Sequence, residues 1–248
     1  MNKDKRQDII LNLVNSKRKV YSNELAMELN VSEDTIRRDL NSLSAEGLIN
    51  KVHGGAISKT QKYYSYNHNL IINNDKKESI AKKAVTLIDD GASMIISDGT
   101  TNLTMARFLP NDIRATVYTY CLPIAMELAN RPNIELFFLG GKINKNSLVT
   151  ISLDVIQKIS RLKVDYAFLG TGSITPSGIT EGSYEVASIK REFVAASDQT
   201  ISLVTSDKLN RKQSHIVCDI DEISTLITDL DPTDKRLDEY RATGVTLL

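Results

Sequence analysis

The sequence contains no tryptophan, two cysteines, three histidines and five prolines among 248 residues. Cys121 and Cys218 stand far apart, which excludes a disulfide framework and a CxxC metal knuckle. His53, His68 and His215 are scattered and show no metal-ligand spacing. No apolar run approaches the roughly 18 residues of a membrane span. The opening MNKDKRQDII lacks the apolar stretch of a secretory signal. The expectation is a cytoplasmic chain with no metal, no cofactor and no membrane partner.

What is present fits a globular protein: 41% hydrophobic and 25% charged residues. A domain takes roughly 100–200 residues, so one large or two unequal domains are expected. The formal net charge of zero hides an asymmetry. Residues 1–83 carry 15 Lys and Arg against 10 Asp and Glu, and residues 84–248 carry 16 against 21. A basic head on an acidic body suits a nucleic-acid partner, although chance surface variation produces such imbalances too.

The head reads as three short helices and a hairpin. Lys5–Asn15 places Ile9, Ile10, Leu13 and Val14 on one stripe. Ser22 is a suitable N-cap for a helix over Asn23–Leu29, and Asn30 and Val31 make a turn. Ser32 then caps a third helix that runs to Glu46 and stops at Gly47. Ile36, Leu40 and Leu43 repeat at i, i+4 and i+7 and face inward. Asp34, Arg38, Asn41 and Ser42 fall on the opposite face, Thr35 beside them and Arg37 on a flank. Two short strands, 48–52 and 56–58, join through Gly54-Gly55.

This order describes a winged helix-turn-helix. Arg38 is placed to grip a guanine edge, and Arg37 to reach a phosphate or a neighbouring carboxylate. Ser22, Ser32 and Thr35 lie near helix N-termini, where they can donate to phosphates, and Asn41 shares the Arg38 face. Lys51 and His53 flank the wing tip. Two arginines on a helix are more often a solvated face; the capped helix, outward Arg, Gly stop and Gly-Gly wing together favour DNA.

Residues 59–75 read as a linker, partly helical. Beyond it, helices are expected at 76–90, 102–109, 123–130, 152–161, 183–197 and 233–242. Strands are expected at 92–97, 115–119, 134–139, 164–169, 200–205, 214–218 and 224–228. Apolar runs such as Met94-Ile95-Ile96 and Leu136-Phe137-Phe138-Leu139 suit strands buried on both faces. The alternation implies a Rossmann-like, mostly parallel α/β sheet over 76–248.

Four loops follow strands, where such sheets bind ligands. Asp98, Gly99, Thr100 and Thr101 precede a helix and can turn N–H groups and hydroxyls toward an anion. Gly140, Gly141 and Lys142 form a second loop, and Gly170 and Gly172 belong to a third. Glu185 and Lys190 share the following helix, and Lys208 follows a later strand. Each alone is an ordinary turn or surface charge; together they suit a small phosphorylated, hydroxylated ligand. Cys121 follows a strand toward the same edge, although a buried structural thiol is the simpler reading.

The segment VSEDTIRRDLNSLSAEGLINKVHGGA, Val31–Ala56, resembles the head of the DeoR family of bacterial sugar-metabolism repressors. The resemblance extends over the body, which is similar to the family's sensor domain, related in fold to ribose-5-phosphate isomerase and CoA transferases. It implies a sugar-phosphate effector that loosens the grip on DNA. It also implies effector roles for Asp98-Gly99-Thr100-Thr101, Gly140-Gly141, Glu185, Lys190-Arg191 and Lys208. The chain departs from the family pattern at Thr119-Tyr120-Cys121, where Thr-Asn-Ser is usual, and at Gly170-Thr171-Gly172-Ser173, where Gly-Ala-Asp-Gly is usual. Thr205 and Ser183 stand where the family often has Asp. The pocket has thus lost carboxylates while its phosphate end is kept.

The expected function is a DNA-binding regulator, a repressor of a carbohydrate-utilisation operon, acting as a homodimer or homotetramer on double-stranded operator DNA. No catalytic apparatus stands out. The alternatives are a sugar-phosphate isomerase-like enzyme fused to a DNA-binding head, or a regulator whose pocket is vestigial.

Overall fold

In the head, Ile10, Val14, Val20, Leu25, Ile36, Leu40, Leu43 and Ile49 gather into one buried cluster, and that cluster dictates the elements around it. The structure, a computed structural model, describes residues 2–17, 19–58 and 73–248. The chain divides into two compact units, 1–72 and 73–248. Of the expected linker, residues 59–72, with His68, lie outside the described residues.

The first unit runs α1 (Lys3–Lys17), β1 (Lys19–Tyr21), α2 (Ser22–Leu29), α3 (Glu33–Ala45), β2 (Ile49–Val52) and β3 (Gly55–Ser58). The expected stripe of α3 is buried, with Ile36 and Leu40 fully so. Asn30, in the left-handed region, ends α2 and turns the chain into α3. Strand β1 was not legible as a strand. It has three residues and exists through its antiparallel pairing with β3, in a sheet ordered β1-β3-β2. Ser22 corrects an expectation: it is the buried first residue of α2, not its cap. Tyr21 holds the cap position without a side-chain bond, and the Ser22 N–H donates to the Gly54 carbonyl at 2.8 Å.

The second unit opens with α4 (Asn74–Val85). Then come β4 (Ser93–Ile96), α5 (Thr100–Phe108), β5 (Ala115–Thr119), α6 (Leu122–Leu128) and β6 (Ile134–Phe138). A small hairpin follows, β7 (Ile143–Asn144) and β8 (Val149–Thr150), then α7 (Leu153–Ile159) and β9 (Val164–Gly170). The rest is β10 (Ser173–Thr175), β11 (Gly178–Glu181), α8 (Tyr184–Ala196), β12 (Ser197–Leu203), β13 (His215–Asp219), β14 (Thr225–Ile227), α9 (Asp238–Arg241) and β15 (Thr246–Leu247).

Seven strands form one sheet in the order β15-β14-β12-β9-β4-β5-β6, every neighbouring pair parallel. Its centre is buried: Met94, Ile95, Ile96, Phe168, Ile201 and Leu203 are fully enclosed. Among the described residues no helix is long and apolar enough to cross a membrane.

Three expectations for this unit are corrected. Strand β6 is an edge strand, not one buried on both faces; Phe137 and Phe138 are 43% and 38% exposed. The strand at 214–218 leaves the parallel sheet and completes a separate antiparallel sheet, β10-β11-β13. The helix expected at 233–242 shrinks to a single 3-10 turn and α9. There the Asp231 and Asp234 side chains accept from the backbone N–H groups of Thr233 and Arg236, local bonds that compete with helix.

Candidate functional site

The first site is the outer face of α3. The Ser32 hydroxyl accepts from the Thr35 N–H at 3.3 Å and so caps the helix. Arg38 projects from the exposed face, 83% accessible, and among the described residues its ion pair is a 3.6 Å contact with the exposed Asp34. Arg37 reaches Glu33 at 3.3 Å. Such exposed pairs are worth about 0–1 kcal/mol, so a phosphate or base edge can replace them at little cost. Lys51 of the wing donates to Asn41 Oδ1 at 2.6 Å, and His53 is exposed beside it.

Asp39, in the same helix, escaped the sequence reading. It is 2% exposed and accepts from Arg6 Nε at 2.5 Å, Arg6 Nη2 at 3.3 Å and Gln7 Nε2 at 3.2 Å. This forked pair locks α3 to α1. The signal available was an acid set between Ile36 and Leu40 on the buried stripe.

The second site follows from the order of the large sheet. After β4 the chain builds outward through β5 and β6; from β9 onward it builds the other way. The carboxyl ends of β4 and β9 therefore flank the point where strand order reverses, where open α/β sheets bind ligands. Asp98 and Gly99 leave β4 there, and Gly170 ends β9. The two loops touch so closely that a Cβ at Gly170 would collide with the Asp98 carbonyl oxygen. Gly99, at φ +109°, holds a conformation that other residues rarely adopt. Asn102 fastens both loops, its Nδ2 donating to the Ser97 and Phe168 carbonyls at 3.0 Å each.

A buried charge cluster sits at this junction. The Lys190 ammonium, 2% exposed, lies 3.2 Å from Asp98 Oδ1, 2.9 Å from Glu181 Oε2 and 2.9 Å from the Gly170 carbonyl. The Tyr120 hydroxyl donates to Asp98 Oδ1 at 2.6 Å. Burial above all, and then the Asp98 carboxylate, raise the Tyr120 phenol well above its ordinary pKa, so it remains a donor. Lys208 donates to the Thr171 carbonyl at 3.1 Å, in the loop between β9 and β10.

The structure thus brings together Asp98, Gly99, Gly170, Lys190 and, one loop away, Lys208. Thr100 is half-buried at the start of α5, and Thr101, the next residue, is buried. Gly172 lies in the loop between β9 and β10, next to the Thr171 carbonyl that accepts from Lys208. Cys121 is buried at the start of α6, its N–H donating to Thr119 Oγ1 at 3.1 Å. Gly140 and Gly141 lead into the small hairpin, where Lys142 is exposed.

Glu185 is corrected. It is exposed and accepts from Ser183 Oγ at 2.7 Å, because five helical residues carry it well away from the Lys190 direction. The second carboxylate that meets Lys190, beside Asp98, is Glu181 at the end of β11; the sequence reading assigned no site role to it, to Asn102 or to Tyr120, the last noted there only as a departure from the family pattern. A cleft of about 390 Å³ lies at the opposite, amino-terminal ends of the strands. Asp89, Asp90, Asp165 and Asp198 line it, a surface that repels phosphate.

The comparisons with known proteins agree across both units. The family model described as the DeoR C terminal sensor domain matches residues 72–230, and that of the DeoR-like helix-turn-helix domain matches residues 6–62. The chain belongs to the DeoR family. Among DeoR-type relatives it is 33% identical to the HTH-type transcriptional repressor GlcR of Bacillus subtilis, over 100% of this chain and 96% of that one. It is 30% identical to a lactose phosphotransferase system repressor of Staphylococcus epidermidis, over 95% and 96%. Its likeness to ribose 5-phosphate isomerase A of Methanocaldococcus jannaschii is distant: 20% identity, 55% of each chain and a TM-score of 0.42. In this sensor unit the tyrosine at position 120 donates into the buried charge cluster.

Proposed function

We propose that the chain represses a carbohydrate-utilisation operon and is released from its operator by a phosphorylated sugar. The observation that carries the reading is the pairing of two surfaces in one DeoR chain. One is an exposed, capped helix with Arg38 outermost; the other is a basic and hydroxylated loop cluster at the reversal point of a parallel sheet. The phosphate is assigned to Lys208, Thr100 and the N–H groups after Gly99, and the hydroxyls to Asp98. The names of the relatives, repressors of sugar systems among them, support the class of operon.

The chain acts by binding rather than turnover. Asp98 and Glu181 both engage Lys190, so neither is a free carboxylate base of the kind an isomerase needs. Two half-sites multiply affinity and specificity, so the operator-bound form is a symmetric dimer or tetramer. Release requires a ligand that prefers a conformation with poorly spaced heads.

Operator binding by the full chain, followed by fluorescence anisotropy with a panel of phosphorylated and free sugars, tests this. One phosphosugar is expected to weaken binding while its free sugar has no effect. Lys208→Ala should blunt that response and leave operator affinity intact. A chain that binds no operator, or that converts the sugar phosphates by product NMR, overturns the reading.

A further inference from the structure

The charge cluster at the end of β4 is already satisfied from within the protein. An ammonium has three N–H donors, and Lys190 has three acceptors around it. Glu181 spends Oε2 on Lys190 and accepts from the Gly182 N–H at 2.8 Å through Oε1. Asp98 Oδ1 receives both Lys190 and the Tyr120 hydroxyl. Asp98 Oδ2 is the carboxylate oxygen of this cluster with no hydrogen bond among the described residues.

Tyr120 also takes up space. It is the residue immediately after β5, the neighbour of β4, and its side chain is fully buried. The ring lies edge-on to Phe193, centroids 5.3 Å apart and planes at 73°. Backed by Phe193, the phenol occupies the volume next to Asp98.

We propose that Tyr120 sets the length of the ligand, so that this site takes a phosphorylated polyol of three or four carbons and rejects a hexose phosphate. The inference rests on the phosphorylated-sugar reading above. A buried ligand hydroxyl needs a partner, and one left unpaired carries a desolvation penalty. A single open carboxylate oxygen serves one or two hydroxyls beside the phosphate. A hexose phosphate brings four or more, with Tyr120 standing where the remainder would lie.

The test is a thermal-shift titration of the full chain with glycerol 3-phosphate, erythrose 4-phosphate and fructose 6-phosphate, with inorganic phosphate as control. The wild type is expected to bind one of the short compounds more tightly than fructose 6-phosphate by about tenfold or more. Tyr120→Asn, which removes the ring and its hydrogen bond to Asp98 Oδ1, is expected to gain fructose 6-phosphate binding. Tyr120→Phe keeps the ring and is expected to keep the short-ligand preference, which covers the case in which Tyr120→Asn fails to fold.

Equal or tighter wild-type binding of fructose 6-phosphate overturns the proposal. So does an unchanged preference in folded Tyr120→Asn, or a lost one in Tyr120→Phe. Silence of wild type and folded Tyr120→Asn toward all three esters overturns the phosphorylated-sugar reading itself and takes this inference with it. Equal or tighter binding of fructose 6-phosphate by the wild type removes only the inference.

Discussion

Arg38 and Lys77 carry the residue-scale expectations, and burial decides both. Arg38 is 83% exposed, so its loss is expected to leave the fold alone and to remove the proposed contact to DNA. Arg38→Ala is expected to cost about 1–3 kcal/mol of sequence-specific operator affinity, read as a rise in Kd against a scrambled duplex. An unchanged ratio would remove α3's outer face from base reading. Lys77 is the opposite case: burial lowers its pKa from the ordinary lysine value to about 8, against the opposing pull of Asp207. The unfolded chain therefore holds a proton that the folded one releases between about pH 8 and 10.5, and this group's contribution to stability rises with pH across that window. Tm of the wild type relative to Lys77→Met should climb from pH 8 to pH 10 and be flat below pH 7. The exposure of Arg38 follows from the periodicity of α3, whereas the burial of Lys77 is not written in the local sequence. Lys77 is one of several lysines in α4, and only the packing of that helix separates it from Lys76 and Lys82.

At the scale of elements, α3 is the clearest case of local legibility. Its cap, stripe and stop lie within 16 residues of chain, and the helix forms as its periodicity requires. Its attachment is not local. Asp39 meets Arg6 across 33 positions, and breaking that pair leaves a buried charge or a loosened helix. Asp39→Ala is expected to destabilise the head by about 3 kcal/mol, at the lower end for buried pairs because Arg6 retains some access to water. Urea unfolding of the variant checks it, and a change below 1 kcal/mol would show that apolar packing alone seats α3. Strand β1, the sheet that β13 joins and the exposed flank of β6 were illegible for a common reason. A strand's partner, and whether it sits at an edge, are properties of the sheet rather than of five residues.

At the scale of the whole molecule, the proposed release requires that a ligand in the second unit act on the head. Covalently the head enters that unit at Asn73, and α4 begins with the next residue. Asn73 Nδ2 donates to Asp207 Oδ1 at 3.4 Å, Lys76 donates to Ser206 Oγ at 2.9 Å, and Lys76 pairs with Asp229 at 3.2 Å. The turn Ser206–Lys208 is thus held by the first turn of α4 on one side and sends Lys208 to Thr171 on the other. Lys76→Ala is expected to keep operator affinity and ligand-induced stabilisation but weaken ligand-induced release several-fold, read by anisotropy and thermal shift on the same preparation. Undiminished release would place the coupling elsewhere.

Periodicity, capping residues and strand–helix alternation by themselves determined the helix-turn-helix, the parallel sheet and the loops at its carboxyl edge. These depend on neighbours a few residues apart, where backbone geometry alone dictates which side chains share a face. Tertiary structure alone decided which groups meet. Glu181 rather than Glu185 faces Lys190, Thr101 turns inward, and Tyr120 reaches Asp98 across 22 positions. Those partners are chosen by the order and register of distant strands, and a charge buried among them must find its counter-charge wherever the fold brings one.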